Sequence, residues 1–304
     1  MTITPRNSDP LIGASMAFAA MCCVQLGLAV SVGLVDRLGA GGVAWLRLAC
    51  AAVIMVALAR PWRIRFSPSA LRTCTFLGAA TAGMTILFME AAARLPLGTA
   101  VALEFLGPLG VALVRGHGVS RLWALVAGAG VLALTEPWHG HTDTTGVVLA
   151  LGAALCWAAY ILLTQRAGDA AEGLGALAIS MPVAALMATF TVGPGAFGHL
   201  DWGLVPAGLG LALLLPVVPF SLELLALRRL SAAVFGTLMC LEPAIGLVVG
   251  LAFLGQVPTP SAALGVALVI AAGIGTTRAG GRVPPLAEPE DRPATPSQEP
   301  SGLR

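Results

Sequence analysis

The sequence predicts an all-α membrane protein with ten transmembrane helices, arranged as two inverted five-helix repeats. Three observations lead to this prediction: the composition, the spacing of apolar segments and an internal repeat. Of the 304 residues, 57% are hydrophobic and only 11% are charged, whereas about 25% of the residues in a typical soluble domain are charged. A chain of this composition is a polytopic membrane protein.

Ten apolar segments are each close to the roughly 20 residues that a helix needs to cross a bilayer. We expect these helices at about residues 11–34, 43–59, 73–92, 97–114, 121–135, 145–164, 174–192, 203–225, 232–254 and 261–278. The first segment is longer than the core of a signal peptide and is followed by further spans. We therefore interpret it as a helix of the mature protein.

The arginines define the expected orientation. The chain contains no lysine, so all 17 basic residues are arginines. If the N-terminus is cytoplasmic, the cytoplasmic segments hold 14 arginines, whereas the outer segments hold only Arg37 and Arg94. Because positive residues favour the cytoplasmic side, both termini are expected there. The tail, residues 280–304, is rich in proline and charge and is expected to be disordered.

The two halves of the chain repeat one another. "RLPLGTAVALEFLGPLGVAL" from residue 94 aligns with "RLSAAVFGTLMCLEPAIGLV" from residue 229. The informative pairs are Arg94 and Arg229, Leu95 and Leu230, Leu106 and Leu241, Pro108 and Pro243 and, at a shift two residues smaller, Glu90 and Glu223, and Cys23 and Cys156. Because each half has an odd number of helices, the second half enters from the opposite side, as in many secondary transporters. We expect the halves at 1–142 and 143–279.

The composition also excludes several classes of protein. Without lysine the chain has neither a Walker A loop nor a Schiff-base site. All six aspartates lie in predicted loops or termini, and all six cysteines lie in apolar runs, where free thiols pack as small residues. "HGHTD" at 139–143 has metal-like spacing but no further histidine or cysteine nearby. We expect no metal, no cofactor and no nucleic-acid partner.

One predicted helix, 97–114, contains both a carboxylate and a proline in its middle. Glu104 and Pro108 share a helical face, and Glu242 and Pro243 occupy the corresponding stretch of the second half. A charged side chain at the bilayer centre costs about 2.5–3.5 kcal/mol on insertion scales. Glu104 and Glu242 are therefore expected either to line a polar cavity for substrate or protons, or to bind a neighbouring helix. Pro108 and Pro243 are expected to kink their helices.

Other polar groups in the predicted helices have structural or functional interpretations. Arg47 in the second helix either extends outward to the surface or binds a glutamate or a substrate carboxylate. Gln25, Trp157 and Tyr160 are amphipathic candidates for the cavity wall. We expect Glu90 to pair with Arg94 at helical spacing, and Glu223 to pair similarly with Arg228 and Arg229.

These stretches resemble the drug/metabolite transporter superfamily, with two EamA-type halves. The segments "LRLACAAVIMVALARPWRIRF", "PLGTAVALEFLGPLGVAL", "ALGAALCWAAYILLTQRAG" and "SLELLALRRLSAAVFGTLMCLEPAIG" carry the resemblance. It implies ten helices in the bacterial inner membrane, an inverted repeat and proton-linked export of small neutral amino acids such as threonine and homoserine. Glu104 with Pro108 matches the family's LEFxGP element, Glu242 with Pro243 its EP element, and Arg47 its arginine in the second helix.

Two functional interpretations remain open within transport. The first is a secondary exporter of small amino acids, with protons and the lipid bilayer as its other partners. The alternative is efflux of drugs or other small metabolites. A membrane enzyme or receptor is disfavoured, because the chain has neither a catalytic set nor a large soluble domain.

Overall fold

A computed structural model describes residues 10–92, 94–95, 97–135, 143–170, 174–191, 203–242, 244–245, 248 and 260–279. Every regular element within these ranges is a helix. The α-helices are α1 (Pro10–Ala59), α2 (Pro68–Ala92), α3 (Leu97–Glu104), α4 (Leu106–Arg115), α5 (Val119–Thr135), α6 (Thr144–Ala170), α7 (Gly175–Thr191), α8 (Leu204–Ala212), α9 (Val218–Leu227), α10 (Ala232–Met239) and α11 (Pro260–Ala279). The all-helical class predicted from the sequence is confirmed for this part of the chain.

Five helical stretches are long and apolar enough to cross a membrane. They are Pro10–Gly27, Gly41–Arg63, Pro68–Ala91, Thr144–Asp169 and Leu204–Leu227. Shorter apolar helices include Leu106–Arg115, Val119–Ala133, Gly175–Thr191 and Ala263–Ala272. The chain is thus a multi-pass membrane protein, and the count of ten spans stays a prediction.

The first two predicted helices are joined in the long element α1. Their boundary is a kink at Gly39, where φ is 68° and ψ is 162°. A left-handed φ is accessible to glycine without a steric penalty, so the chain changes direction there with no loop. Asp143, the first residue of the predicted second half, caps α6, because its Oδ1 accepts a hydrogen bond from the Thr145 N–H at 3.0 Å.

Two predicted helices are interrupted. The segment 97–114 divides into α3 and α4 at Phe105, three residues before Pro108. Pro108 is then the third residue of α4, where a helix has unsatisfied N–H groups in any case. The segment 203–225 divides at a π-helical stretch, Leu213–Val217, in which Leu215 has non-helical φ and ψ of −162° and 101°.

The two halves are interleaved rather than side by side. Helix α1 of the first half packs against α9 and the π-helical stretch of the second half. Helix α6 of the second half packs against α2, α3 and α4 of the first half. Any space enclosed between these helices is therefore lined by both halves.

Candidate functional site

Glu104 is positioned by the interruption of its helix. It is the last residue of α3 and is only 9% exposed. Next to it, the Phe105 ring lies edge-on to Trp157 of α6, with ring centroids 4.8 Å apart and planes inclined at 66°. This aromatic contact fixes the turn after Glu104 against the second half.

Glycines allow the interrupted helices to approach each other closely. A Cβ at Gly107 of α4 would collide with the Ala154 carbonyl of α6. A Cβ at Gly236 of α10 would likewise collide with the Pro108 carbonyl of α4. Because these are backbone contacts, no side-chain rotation can relieve them. The absence of a Cβ at both positions is what lets α4, α6 and α10 meet beside Glu104.

A cavity of about 170 Å³ lies among these helices. That volume is on the order of ten times the minimum space that one water molecule needs. Its polar wall consists of Arg47, Thr85, Glu104, Tyr160, Glu223 and Glu242. Much of the remaining wall is apolar and includes Val24, Leu48, Met84, Phe88, Trp157 and Phe220. A small molecule with both charged and apolar parts fits such a lining.

The structure brings together most of the predicted site residues. Arg47, Glu104, Trp157, Tyr160 and Glu242 all line this one cavity. Gln25, by contrast, is half-buried on α1 and is not part of the cavity wall. Pro243 lies outside the described residues.

Glu223 is the cavity residue that sequence reasoning missed. The expected pairing with Arg228 and Arg229 is wrong: Glu223 is 6% exposed, and its Oε2 accepts a hydrogen bond from the Tyr160 hydroxyl at 2.6 Å. Arg229 donates to the Leu225 carbonyl at 3.3 Å. The sequence repeat did point to Glu223, because Glu223 aligns with Glu90. Spacing along one helix, however, gives no information about contacts with a second helix such as α6. The expected pair of Glu90 with Arg94 is confirmed, at 3.9 Å.

Arg47 is half-buried in the cavity wall rather than extended to the surface. In the part of the chain that the structure describes, no carboxylate lies within salt-bridge distance of its guanidinium. A guanidinium binds carboxylates through two parallel hydrogen bonds. Arg47 therefore offers the cavity a binding group for an anion.

The described residues of the cavity wall include more acidic groups than basic ones. Their three carboxylates and one guanidinium have a net charge of −2 with all four ionised. Glu242 is within electrostatic range of both Glu104 and Glu223. Buried like charges repel strongly in a medium of low dielectric constant. The arrangement therefore favours ligands that bring positive charge, including protons.

Within the described ranges, no group of three or more His, Cys, Asp or Glu side chains has an arrangement that could hold a metal ion. Of the "HGHTD" segment, residues 139–142 lie outside the described part, and Asp143 caps α6.

The interleaved membrane helices enclose a cavity with charged groups in its wall, as a membrane transporter requires, and similarity to known proteins identifies the family. The chain belongs to the EamA-like transporter family, whose model matches residues 144–278. It is 41% identical over 263 residues to the threonine/homoserine exporter RhtA of Escherichia coli K12, covering 85% of this chain and 88% of that one. The RhtA of Salmonella typhimurium LT2 is 40% identical over the same length.

The chain is also similar to two more distant proteins. A probable terminal-alkyne amino-acid exporter of Streptantibioticus cattleyicolor is 28% identical over 276 residues, covering 80% of this chain and 85% of that protein. A solved crystal structure that is 16% identical superimposes with a TM-score of 0.68 over 91% of this chain and all of that chain. At that identity the likeness concerns the fold alone. By its family the chain is a transporter and not an enzyme.

Proposed function

We propose that the chain exports small neutral amino acids, threonine and homoserine among them, in exchange for protons. The observation that carries this proposal is a small cavity with one guanidinium and three carboxylates in its wall. A zwitterion needs a cationic partner and an anionic partner. Arg47 binds its carboxylate, and Glu104 or Glu242 binds its ammonium group.

The size of the cavity supports a small substrate over a drug. Pockets for drug-sized ligands span about 300–1,000 Å³, whereas this cavity measures about 170 Å³. Its aromatic and aliphatic wall accommodates only a short side chain once the charged groups are bound. Efflux of larger drugs or other metabolites remains the alternative that the experiments must exclude.

The excess of carboxylates supports a role for protons. A zwitterion has no net charge, so its binding leaves the excess of −2 in the cavity unchanged. Because net charge buried in a membrane protein is costly, protons are the simplest neutralising partner. Loss of these protons on one side of the membrane and their return on the other side gives antiport.

The direct test is transport by the purified protein in proteoliposomes. Vesicles that contain it should accumulate labelled threonine or homoserine when a proton gradient is imposed, and a protonophore should abolish the accumulation. Cells that overproduce the protein should resist excess homoserine. If a panel of small neutral amino acids is not transported although the protein is inserted, the substrate proposal is wrong and the drug interpretation gains support.

We further propose that ten helices form an inverted repeat in the inner membrane with both termini in the cytoplasm. The equal lengths of α3 and α10 and the interleaving of the halves support the repeat, and the arginine distribution supports the orientation. Reporter fusions after residues 38, 140 and 257 should be active on the outside, and fusions after 66, 118 and 280 on the inside. The reversed pattern would contradict both the orientation and the inverted repeat.

A further inference from the structure

Glu223 differs from the other two cavity carboxylates in having a dedicated partner. The Tyr160 hydroxyl donates to its Oε2 at 2.6 Å, and Tyr160 is itself 1% exposed. The Tyr160 ring lies against Phe220, one turn before Glu223, with centroids 5.2 Å apart. Two contacts, one polar and one aromatic, therefore fix Tyr160 of α6 against α9.

Glu104 and Glu242 have no comparable partner. In the described part of the chain, no side-chain hydrogen bond reaches either carboxylate. Their oxygens are available to an ammonium group, whereas one oxygen of Glu223 is already bound. The three carboxylates are thus divided by geometry into two that are free to bind substrate and one that is held in place.

We infer that Glu223 is the group that carries the exchanged proton, with Tyr160 as its positioning residue, while Glu104, Glu242 and Arg47 bind the amino acid. This inference rests on the proposed function. In the proton-loaded form the free oxygen of Glu223 holds the proton, and on release that proton passes to water in the cavity. The Tyr160 hydroxyl keeps its own proton and donates to Oε2 in both forms.

The groups that face Glu223 explain why proton and substrate binding are linked. Arg47 faces it from α1, Glu104 from α3, Tyr160 from α6, and Glu242 from the segment after α10. Glu242 is in electrostatic range of Glu223. When a substrate ammonium neutralises Glu242, the repulsion on an ionised Glu223 falls. Because Glu242 is the charged group in electrostatic range of Glu223, this effect outweighs the opposite effect of the substrate carboxylate on Arg47, and Glu223 releases its proton more readily. Substrate binding on one side therefore promotes proton release on that side.

A purely structural role for this pair makes a different prediction. If Tyr160 and Glu223 only hold α6 against α9, then Glu223→Gln should leave protein stability and both modes of transport close to those of the wild type. The glutamine has nearly the same size, and its amide oxygen still accepts the hydrogen bond from Tyr160. It lacks only the ability to gain and lose a proton, so it separates the two roles.

The experiment compares two assays on the same proteoliposomes. The first measures exchange of labelled for unlabelled threonine at equal pH on both sides, which requires no net movement of protons. The second measures accumulation driven by a pH gradient. We expect Glu223→Gln to retain exchange and to lose gradient-driven accumulation, while Glu104→Gln loses both. The matched control is Glu90→Gln, which alters the repeat-related but exposed glutamate and should behave as wild type in both assays.

The second variant, Tyr160→Phe, tests the positioning role. Loss of a hydrogen bond to a charged group makes the ionised carboxylate less favourable, so the midpoint of the pH profile of transport should rise by about one pH unit. Gradient-driven accumulation by Glu223→Gln at the wild-type level would overturn the inference, and so would loss of exchange in a correctly folded Glu223→Gln protein. If the wild type exchanges no amino acid, the proposed function itself is wrong and this inference is wrong with it.

Discussion

The two halves of the molecule share a framework. Helices α3 and α10 both have eight residues, and both end at equivalent positions, Glu104 and Met239. Before each helix the chain turns in the same way: the N–H groups of Arg94 and Leu95 both donate to the Ala91 carbonyl, and those of Arg229 and Leu230 both donate to the Ala226 carbonyl. The repeat in the sequence thus has a counterpart in local backbone structure.

The same corners also dock in the same way. A glycine near the start of the opposite half's first helix lies against each corner, Gly146 against Leu95 and Gly13 against Leu230. Each docking contact joins the two halves, because Gly146 belongs to the second half and Leu95 to the first. The framework that positions the cavity is therefore built twice.

The Tyr160–Glu223 pair in the cavity wall, by contrast, is built once. The counterpart of Glu223 is Glu90, which is exposed and pairs with Arg94 at 3.9 Å. The counterpart of Tyr160, at the shift of the glutamate pair, is Gly27, which leaves room for Leu215 in the π-helical stretch. Tyr160 and Glu223 in the second half thus correspond to Gly27 and Glu90 in the first half, where Glu90 forms an exposed ion pair with Arg94. The difference teaches that the two halves repeat the framework and one carboxylate each, but not the Tyr160–Glu223 pair.

The largest expected effect concerns Glu104 and Glu242. In the alignment of the two repeats these carboxylates lie one helical turn apart: Glu104 is the last residue of α3, and Glu242 follows the end of α10. Changing either to glutamine preserves shape but removes the charge that binds the substrate ammonium. Loss of a charge-assisted interaction is worth about 1.5–3 kcal/mol, which corresponds to a fall of roughly 10- to 150-fold in transport. The efflux rate in proteoliposomes, measured against pH at matched protein levels, checks this.

Insertion is the control for these variants, because removing a charge from a membrane helix does not oppose insertion. Both proteins should therefore reach the membrane in normal amounts. Wild-type transport rates in Glu104→Gln and Glu242→Gln would mean that the two carboxylates serve only helix packing. A defect in one variant alone would mean that the halves do not share substrate binding.

The next effect tests Arg47, the one cationic side chain among the described residues of the cavity wall. Arg47→Gln should raise the KM for amino-acid transport by roughly tenfold or more, because the substrate carboxylate loses a bidentate partner. Arg47→Lys keeps the charge but not the planar geometry, so its KM should lie between those of the wild type and Arg47→Gln. Equal KM values in all three proteins would place the carboxylate-binding group elsewhere.

A moderate effect is expected where the halves touch. Gly107→Ala places a methyl group against the Ala154 carbonyl, whereas Gly110→Ala, one turn later on the same helix, meets open space. Overpacking of a close contact costs about 1–3 kcal/mol. The melting temperature in detergent should fall for Gly107→Ala and stay unchanged for Gly110→Ala. Equal melting temperatures would show that α4 can shift away from α6 without loss.

Several features of the fold and the site are predictable from the sequence for physical reasons. A glutamate or arginine embedded in a membrane is very costly without a polar environment, so the sequence alone identifies Glu104, Glu242 and Arg47 as candidates. Pro108 likewise predicts an interruption of the helix 97–114. The interruption lies at Phe105, so the proline falls within the first turn of α4.

Other features depend on contacts between distant segments. Helical spacing reports neighbours on one helix, so it pairs Glu223 with nearby arginines and cannot identify Tyr160, which is 63 residues away. The π-helical stretch at Leu213–Val217 is not predictable either, since an apolar run has the same pattern with or without an interruption. Gln25 shows the converse limit: a polar residue in a helix need not face the cavity.

The smallest effect is expected at the counterpart of Glu223. Glu90→Gln removes an exposed partner of Arg94, and exposed i,i+4 ion pairs contribute about 0.3–0.5 kcal/mol. The melting temperature of Glu90→Gln in detergent should therefore stay close to that of the wild type, and adding salt should reduce even this difference because it screens exposed charges. At Glu223 the same substitution removes the charge of a buried hydrogen-bond acceptor in the cavity wall. The repeat-related residue, Glu90, is exposed to solvent. If Glu90→Gln impaired transport as strongly as Glu223→Gln, the exposed ion pair would have to act in the transport cycle, and the distinction between a repeated framework and a single polar site would be wrong.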